Sequence, residues 1–226
     1  MAETETKSID KASIEMIEKA ANDRVNTAFD RAETESQCAI GAAGSCCKHC
    51  GMGPCRMVTY GGEQVRGVCG ATAETIAARN FIRMIAGGAA AHSDHGRGVA
   101  ELFLAVAKGE APGYEIKDEQ KLLQLALDWG IEIGDRSNNE IAIDIGKMAL
   151  AEFGKQEGEL ITLRKAPLKR QELWRQQDAA PRGIDREIVE IMHRTHIGVD
   201  QDYKNLLKQG VRASIGDGWG GSMIAT

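Results

Sequence analysis

The chain has 226 residues, 27% of them charged, 4% aromatic, with a formal charge of −5. That length allows one large domain or two small ones, with a core that needs no covalent staples. The charge is mixed and forms no basic stripe, which excludes a nucleic-acid binder, and no apolar run approaches the roughly 18–20 residues of a membrane span.

The first residues, "MAETETKSIDK", are polar and acidic and lack the hydrophobic region of a signal peptide. A cytoplasmic protein is the expectation, and there clustered cysteines bind metal more often than they form disulfides. Scarce aromatics and proline with plentiful Ala and Gly suggest closely packed helices rather than a β-sandwich. Residues 1–7 read as frayed. A first helix is expected to start near Ser8–Asp10, carrying an imperfect stripe of Ile9, Ile14, Met16, Ile17 and Ala20. A second covers about 24–34 with Val25, Ala28 and Phe29 inward. The glycine-rich segment 37–70 reads as loop with at most short helical turns.

Helical patterning resumes after Cys69. Thr72 is a plausible N-cap, and Ala77, Phe81, Met84 and Ile85 mark one inward face. The run "AGGAAAH" (86–92) is expected either to admit another backbone closely or to break the helix at Gly87–Gly88. Further helices are predicted over 98–109, ending at Gly109, and over about 118–129. Another runs from Ser137, whose pairing with Glu140 is a capping box, to about 153. The polar stretch 154–182 is expected to wrap the surface. "GIDREIVEIMHRTHIG" and "DQDYKNLLKQGVRASI" are two more amphipathic helices. No strand or internal repeat is evident. The predicted fold class is mainly α: a helical domain with a cysteine-rich loop segment.

All six cysteines fall between Cys38 and Cys69. Cys46 and Cys47 are adjacent, and neighbouring side chains project in different directions, so the simplest partition is four plus two. Cys47, Cys50, Cys55 and Cys69 form C-x2-C-x4-C-x13-C, and four thiolates are what a [4Fe–4S] cluster takes. Lys48, Arg56 and Arg66 stand near to offset the cluster's net charge of about −2. Gly51, Gly53, Gly67 and Gly70 let the chain curl and bring N–H groups towards sulfur. Cys69 precedes a helix, whose dipole favours thiolate. Cys38 and Cys46 are half a cluster site, and a two-fold dimer axis would supply the other half. Zinc is the rival occupant, although zinc ribbons use two C-x2-C knuckles and this segment has one.

The stretches "CAIGAAGSCCKHCGMGPCRM" and "RGVCGATAETIAARNFIRMIAGGAAAHSDHGRGVAE" strongly resemble the N-terminal region of anaerobic nickel–iron carbon monoxide dehydrogenases. "PRGIDREIVEIMHRTHIGVDQDYKNLL" and the final "DGWGGSMIAT" resemble the same family further along. The resemblance implies a homodimer that catalyses CO + H2O ⇌ CO2 + 2H+ + 2e− at a Ni–Fe–S cluster. It implies a [4Fe–4S] B-cluster on Cys47, Cys50, Cys55 and Cys69. It further implies a bridging D-cluster, [4Fe–4S] or [2Fe–2S], on Cys38 and Cys46 of both subunits. Electrons would pass from the nickel cluster through these to a ferredoxin-like acceptor, and an acetyl-CoA synthase is a possible further partner. The implied organisation is N-terminal helices near the dimer contact (1–36), a cluster-binding segment (37–70) and a helical domain (71–226). Family members are much longer, and the ligands of their catalytic nickel cluster lie beyond the part matched here. The chain is therefore expected to be an N-terminal portion that does not oxidise CO alone. A stand-alone small electron carrier and a zinc-stabilised helical binding module are the alternatives.

His92 and His95 share a helix face, and the resemblance implies a proton relay for them, a role suited to an imidazole with an unperturbed pKa of about 6.5. Outer positions where longer relays carry histidine are Gly98 and Glu101 here. His193 and His196 form a second pair, with Glu190 three residues before His193. Glu-x-x-His is half a di-iron motif, and its second copy is lacking. His49, between cluster cysteines, would tune a sulfur or be merely exposed. "GDGWGG" (216–221) fits a dinucleotide-loop pattern, but it follows a helix rather than a strand and reads as a turn. Phe81, Met84 and Phe103 read as core.

Overall fold

A computed structural model describes residues 7–58 and 65–226. The expected fraying over 1–7 falls, except for Lys7, outside the described residues, as does 59–64 of the cysteine-rich segment. The chain divides into two compact units, 1–43 and 44–226. The boundary lies inside the cysteine-rich segment. The fold is mainly helical, as the sequence predicts.

The first unit holds helices α1 (Lys11–Asn22), α2 (Ala28–Thr34) and the single turn α3 (Ala39–Ala42). Asp10 caps α1 by accepting from the Ser13 amide at 2.7 Å, and Thr27 with Asp30 forms a capping box on α2. Neither α1 nor α2 has a buried residue. Val25 and Phe29, expected inward, are 57% and 42% exposed. Lys7 pairs with Glu33 at 2.7 Å.

The second unit begins with a two-residue antiparallel ladder, β1 (Cys46–Cys47) with β2 (Cys55–Arg56), inside the segment read as loop. Helices α4 (Ala73–Ala107), α5 (Glu119–Trp129) and α6 (Asn138–Gly154) follow. A 3-10 turn (Ile161–Lys165) precedes α7 (Leu168–Gln176), α8 (Ile184–Arg194) and α9 (Tyr203–Gly216). A π-helical turn (Asp217–Gly221) then runs on into α10 (Ser222–Ala225). Thr72 caps α4 and Ser137 with Glu140 boxes α6, both as the sequence predicts.

Helix α4 is the axis of this unit, and α6, α8, α9, α10 and the π-turn all pack on it. It does not break at Gly87–Gly88. Each helical glycine costs about 1 kcal/mol against alanine, but packing along the whole helix outweighs that local cost. One stripe of its buried positions runs Thr75, Arg79, Ile82, Ala86, Ala89, Ser93, Gly96 and Ala100, in alternating steps of four and three. Small side chains dominate this stripe because helices close in from several sides. Ile76 and Ile82 are buried, but two bulky residues expected inward turn outward: Phe81 is 52% and Met84 70% exposed. Phe103 is partly buried against the α5–α6 core, as expected.

The hydrophobic interior has several centres. Ile141, Ile145, Ala126 and Trp129 join α5 to α6, and Ile82, Ile191, Leu206 and Ala213 join α4 to α8 and α9. Phe153, Leu160, Leu163 and Ile184 form a third centre. The stretch 154–182 is therefore not a surface wrap. The 3-10 turn puts Leu160 and Leu163 on one side, and the Glu152 carboxylate accepts the Ile161 amide at 2.7 Å, which pins the turn to α6. No helix among the described residues is long and apolar enough to cross a membrane.

Candidate functional site

Cys47, Cys50, Cys55 and Cys69, spread over 23 positions of sequence, line one cavity. Ile76 and Ala71 close its floor with Cys47. The ladder explains the first half of this convergence. Pairing Cys47 with Cys55 doubles the chain back over the intervening residues. Gly53 fits inside that turn because a Cβ there would lie 2.9 Å from the Cys47 carbonyl oxygen and 3.1 Å from the Cys55 amide nitrogen. Gly53–Pro54 is a cis peptide. The Val68 amide donates to Cys55 Sγ at 3.4 Å, and Gly67 packs against the same sulfur. The four thiols surround the cavity without converging on a point. Among the described residues no group of three His, Cys, Asp or Glu side chains is placed to hold a single ion.

Helix α4 holds this loop in place. Asn80 Nδ2 donates to the carbonyls of Gly44 at 2.9 Å and Cys46 at 3.2 Å, and its Oδ1 meets His49 Nε2 at 2.8 Å. His49 is thus half-buried on the cavity wall and bonded to Asn80 rather than to sulfur. Burial and the nearby Arg83 push its imidazole below the ordinary range, against the Asn80 bond that raises it.

Arg79, one residue before Asn80, is 2% exposed and lines the cavity. Its Nη1 donates to Cys69 Sγ at 3.5 Å and its Nη2 to the Asp200 carbonyl at 2.6 Å, while its Nε is buried without a partner. Burial pushes the Cys69 thiol up. Arg79, the Ala71 amide and Gln201 outweigh it and bring the thiol down to about 7. Lys48, Arg56 and Arg66, the cations expected to balance charge, are all exposed, and Arg66 is engaged with the Gly70 carbonyl at 3.1 Å. The buried cation is Arg79, which the sequence reading passed over. Its sequence signal is local: a charge ten residues beyond Cys69, in the second turn of a helix capped by Thr72.

This donor set fits an iron–sulfur cluster. Four thiols, an amide on one sulfur, a guanidinium on another and a buried, unpartnered N–H together suit a bulky anion whose sulfurs accept hydrogen bonds. Cys38 is exposed and stands at the N-cap position of α3; Cys46 is half-buried at the start of β1.

A second cluster of polar groups lies midway along α4. His92 Nδ1 meets Asp217 Oδ1 of the π-turn at 2.5 Å. His95 is exposed. The pairing depends on two glycines: a Cβ on Gly96 would lie 2.5 Å from the Gly221 carbonyl oxygen, and one on Gly221 would lie 2.8 Å from that of His92. Backbone therefore meets backbone where the π-turn crosses α4. This "GDGWGG" run is neither a nucleotide loop nor a simple turn but a widened helical turn, a form frequent at functional sites. Asp217 escaped sequence reasoning because its partner lies 125 positions away. Glu190 is occupied by Arg182, Arg186 and Arg194 at 2.5–3.2 Å, a structural ion-pair network, and the adjacent His193 is exposed.

Residues 45–226 match the Prismane/CO dehydrogenase family. Carbon monoxide dehydrogenase 1 of Methanosarcina acetivorans is 52% identical over 221 residues, covering 97% of this chain and 35% of that protein. The carbon monoxide dehydrogenase/acetyl-CoA synthase subunit beta of Moorella thermoacetica is 39% identical, covering 97% of this chain and 33% of that one. Among solved structures, a Ni-free carbon monoxide dehydrogenase from Thermococcus sp. AM4 superposes with a TM-score of 0.87 at 48% identity, covering 97% of this chain and 35% of that one. The chain thus spans about a third of the length of the relatives it matches. It belongs to the Prismane/CO dehydrogenase family.

Proposed function

We propose that this chain is the electron-relay region of a nickel–iron carbon monoxide dehydrogenase, an oxidoreductase for CO + H2O ⇌ CO2 + 2H+ + 2e−. The observation that carries the reading is the meeting of Cys47, Cys50, Cys55 and Cys69 around one cavity beside the buried Arg79. Those four residues would hold a [4Fe–4S] cluster, and Cys38 and Cys46 of two copies would hold a second cluster, [4Fe–4S] or [2Fe–2S], at a dimer axis. When bound, such clusters store and pass single electrons, linking a nickel site in the remainder of the enzyme to a ferredoxin-like acceptor. A homodimer is supported by α1, which is amphipathic yet buries no residue. An acetyl-CoA synthase is a further candidate partner, since a relative's name joins the two enzymes.

The chain's own residues have distinct tasks in this reading. The cysteines are ligands. Gly53 permits the tight turn, Asn80 and His49 tie the loop to α4, and the Val68 amide weakens the basicity of Cys55. Asp217 fixes the ring of His92 through Nδ1, which leaves Nε2 to take and give a proton; His95 would extend that route outward.

The test is an anaerobic iron and sulfide count per chain, with an EPR spectrum of the reduced protein. About six irons per chain, four plus half of a shared four, supports both clusters and the dimer. About four removes the bridging site, and about five makes it [2Fe–2S]. No iron, with one zinc per chain and a colourless protein, overturns the redox reading.

A further inference from the structure

The other buried arginine among the described residues, Arg212, finds a carboxylate, and so does the half-buried Arg182. Arg182 pairs with Glu187 and Glu190, and Arg212 with Asp178. Arg79 does not. At 2% exposure it is among the most deeply buried side chains of the molecule, and among the described residues no Asp or Glu forms an ion pair with it. The carboxylate of Asp200, whose carbonyl Arg79 holds, faces Arg194 instead at 3.3 Å. One turn further along α4, Arg83 donates to Thr195 Oγ1 at 2.8 Å and likewise has no carboxylate. A buried guanidinium without an anion is strongly disfavoured, so the cavity wall carries positive charge that something else must balance. Among the described residues the group placed to do so is thiolate: Arg79 Nη1 already reaches Cys69 Sγ, and its unpartnered Nε is buried at the same wall.

We infer that Arg79 is the counter-charge of the cluster held by Cys47, Cys50, Cys55 and Cys69, and that it raises that cluster's reduction potential through Cys69. The inference rests on the cluster reading given under Proposed function. One electron from a low-potential donor takes the four-thiolate cluster from a net charge of about −2 to about −3, with no proton needed. A fixed positive charge on one ligand favours the more negative state, so it favours the reduced cluster. The Asp200 carbonyl and the tight packing of the α4 stripe hold the guanidinium in place. Arg79 is a positioning and tuning residue, acting on the metal only through Cys69.

The experiment uses the full chain, loaded anaerobically with iron and sulfide. Iron is counted first, then the chain is titrated with a low-potential reductant and the reduced cluster is followed by EPR. Arg79→Gln should keep its iron but show at least a tenfold lower ratio of reduced to oxidised cluster at the wild-type midpoint, which for one electron is about 59 mV. Arg79→Lys should recover most of that ratio. An Arg79→Gln ratio within twofold of wild type overturns the inference and leaves the cluster reading intact, whereas a wild-type chain that takes up no iron overturns both. Should Arg79→Gln fail to fold or load, the wild-type protein decides. Labelled with 15N in the arginine side chains, its reduced cluster should show hyperfine coupling to an arginine nitrogen in pulsed EPR. Absence of that coupling overturns the role of Arg79.

Discussion

Replacing Gly96 by alanine should weaken the 44–226 unit even though alanine is the better helix former. A Cβ there would stand 2.5 Å from the Gly221 carbonyl oxygen and 3.2–3.3 Å from two more backbone atoms, where ordinary contact begins near 3.4 Å. The π-turn would have to retreat by about 0.9 Å, the difference between those distances, carrying Asp217 with it. Overpacking a rigid contact costs about 1–3 kcal/mol, and a clash with backbone belongs at the upper end. The helical preference for alanine returns about 1 kcal/mol, leaving a net loss of about 2 kcal/mol. Gly87, on the same helix, has nothing within 4 Å of its would-be Cβ, so Gly87→Ala should gain about 1 kcal/mol. The two variants should therefore differ by about 3 kcal/mol, or about 1 M in urea midpoint for a slope near 3 kcal/mol/M. All three tryptophans, Trp129, Trp174 and Trp219, lie in this unit, so their fluorescence follows its unfolding alone. A Gly96→Ala midpoint equal to or above that of Gly87→Ala would refute the backbone contact.

Asn80→Ala removes the donor to two loop carbonyls and the partner of His49, and should cost about 1–3 kcal/mol. Hydrogen exchange should show the loss first at residues 44–57, and uniform protection there would count against the tether. Glu187→Ala strips a 1%-exposed carboxylate from Arg182 and Gln209 and should cost about 3–5 kcal/mol in a urea titration, because Arg182 loses its most buried partner; a loss under 1 kcal/mol would contradict this. Burial raises the Glu190 carboxyl, but Arg182 and Arg194 outweigh it and hold the group below its ordinary value. Its contribution is therefore full above the unfolded carboxylate range and is lost as pH falls through the folded value. The stability gap between wild type and Glu190→Gln should close on acidification, and a gap independent of pH would show that these ion pairs contribute nothing.

The capped helices were legible because their signals are local: Thr72, Ser137 with Glu140 and the inward stripes of α8 and α9 act within a few residues. That Cys47, Cys50, Cys55 and Cys69 share one cavity follows in part from equally local structure, since the ladder that pairs Cys47 with Cys55 folds the first three together. The inward face of α4 was not legible, because hydrophobicity marked Phe81 and Met84, whereas the buried stripe runs through Arg79 and Ile82 and is otherwise made of small residues. The small-residue run of that helix was read correctly only in part. The expected break at Gly87–Gly88 does not occur, while the close approach expected within 86–92 is met only at its end, where Gly221 lies against the His92 backbone, and continues to Gly96. The role of Asp217 and the anchoring of Arg79 arise from contacts more than a hundred positions apart, with His92 and with the Asp200 carbonyl, and no sequence window of helical length contains both members of either pair.

Helix α4 runs without interruption from the cysteine cavity at Arg79 to the imidazole at His92, 13 residues or about 20 Å along its axis. Both stations are keyed to the same rod, so their separation and their relative angle are set together. Inserting one residue between them would turn His92 through about 100° relative to Arg79 and slide it about 1.5 Å, out of reach of Asp217, although no contacting side chain had changed. Seven inserted residues would bring the face back to within about 20°, at the cost of a longer span. Between these two points the chain can change its letters far more freely than its length.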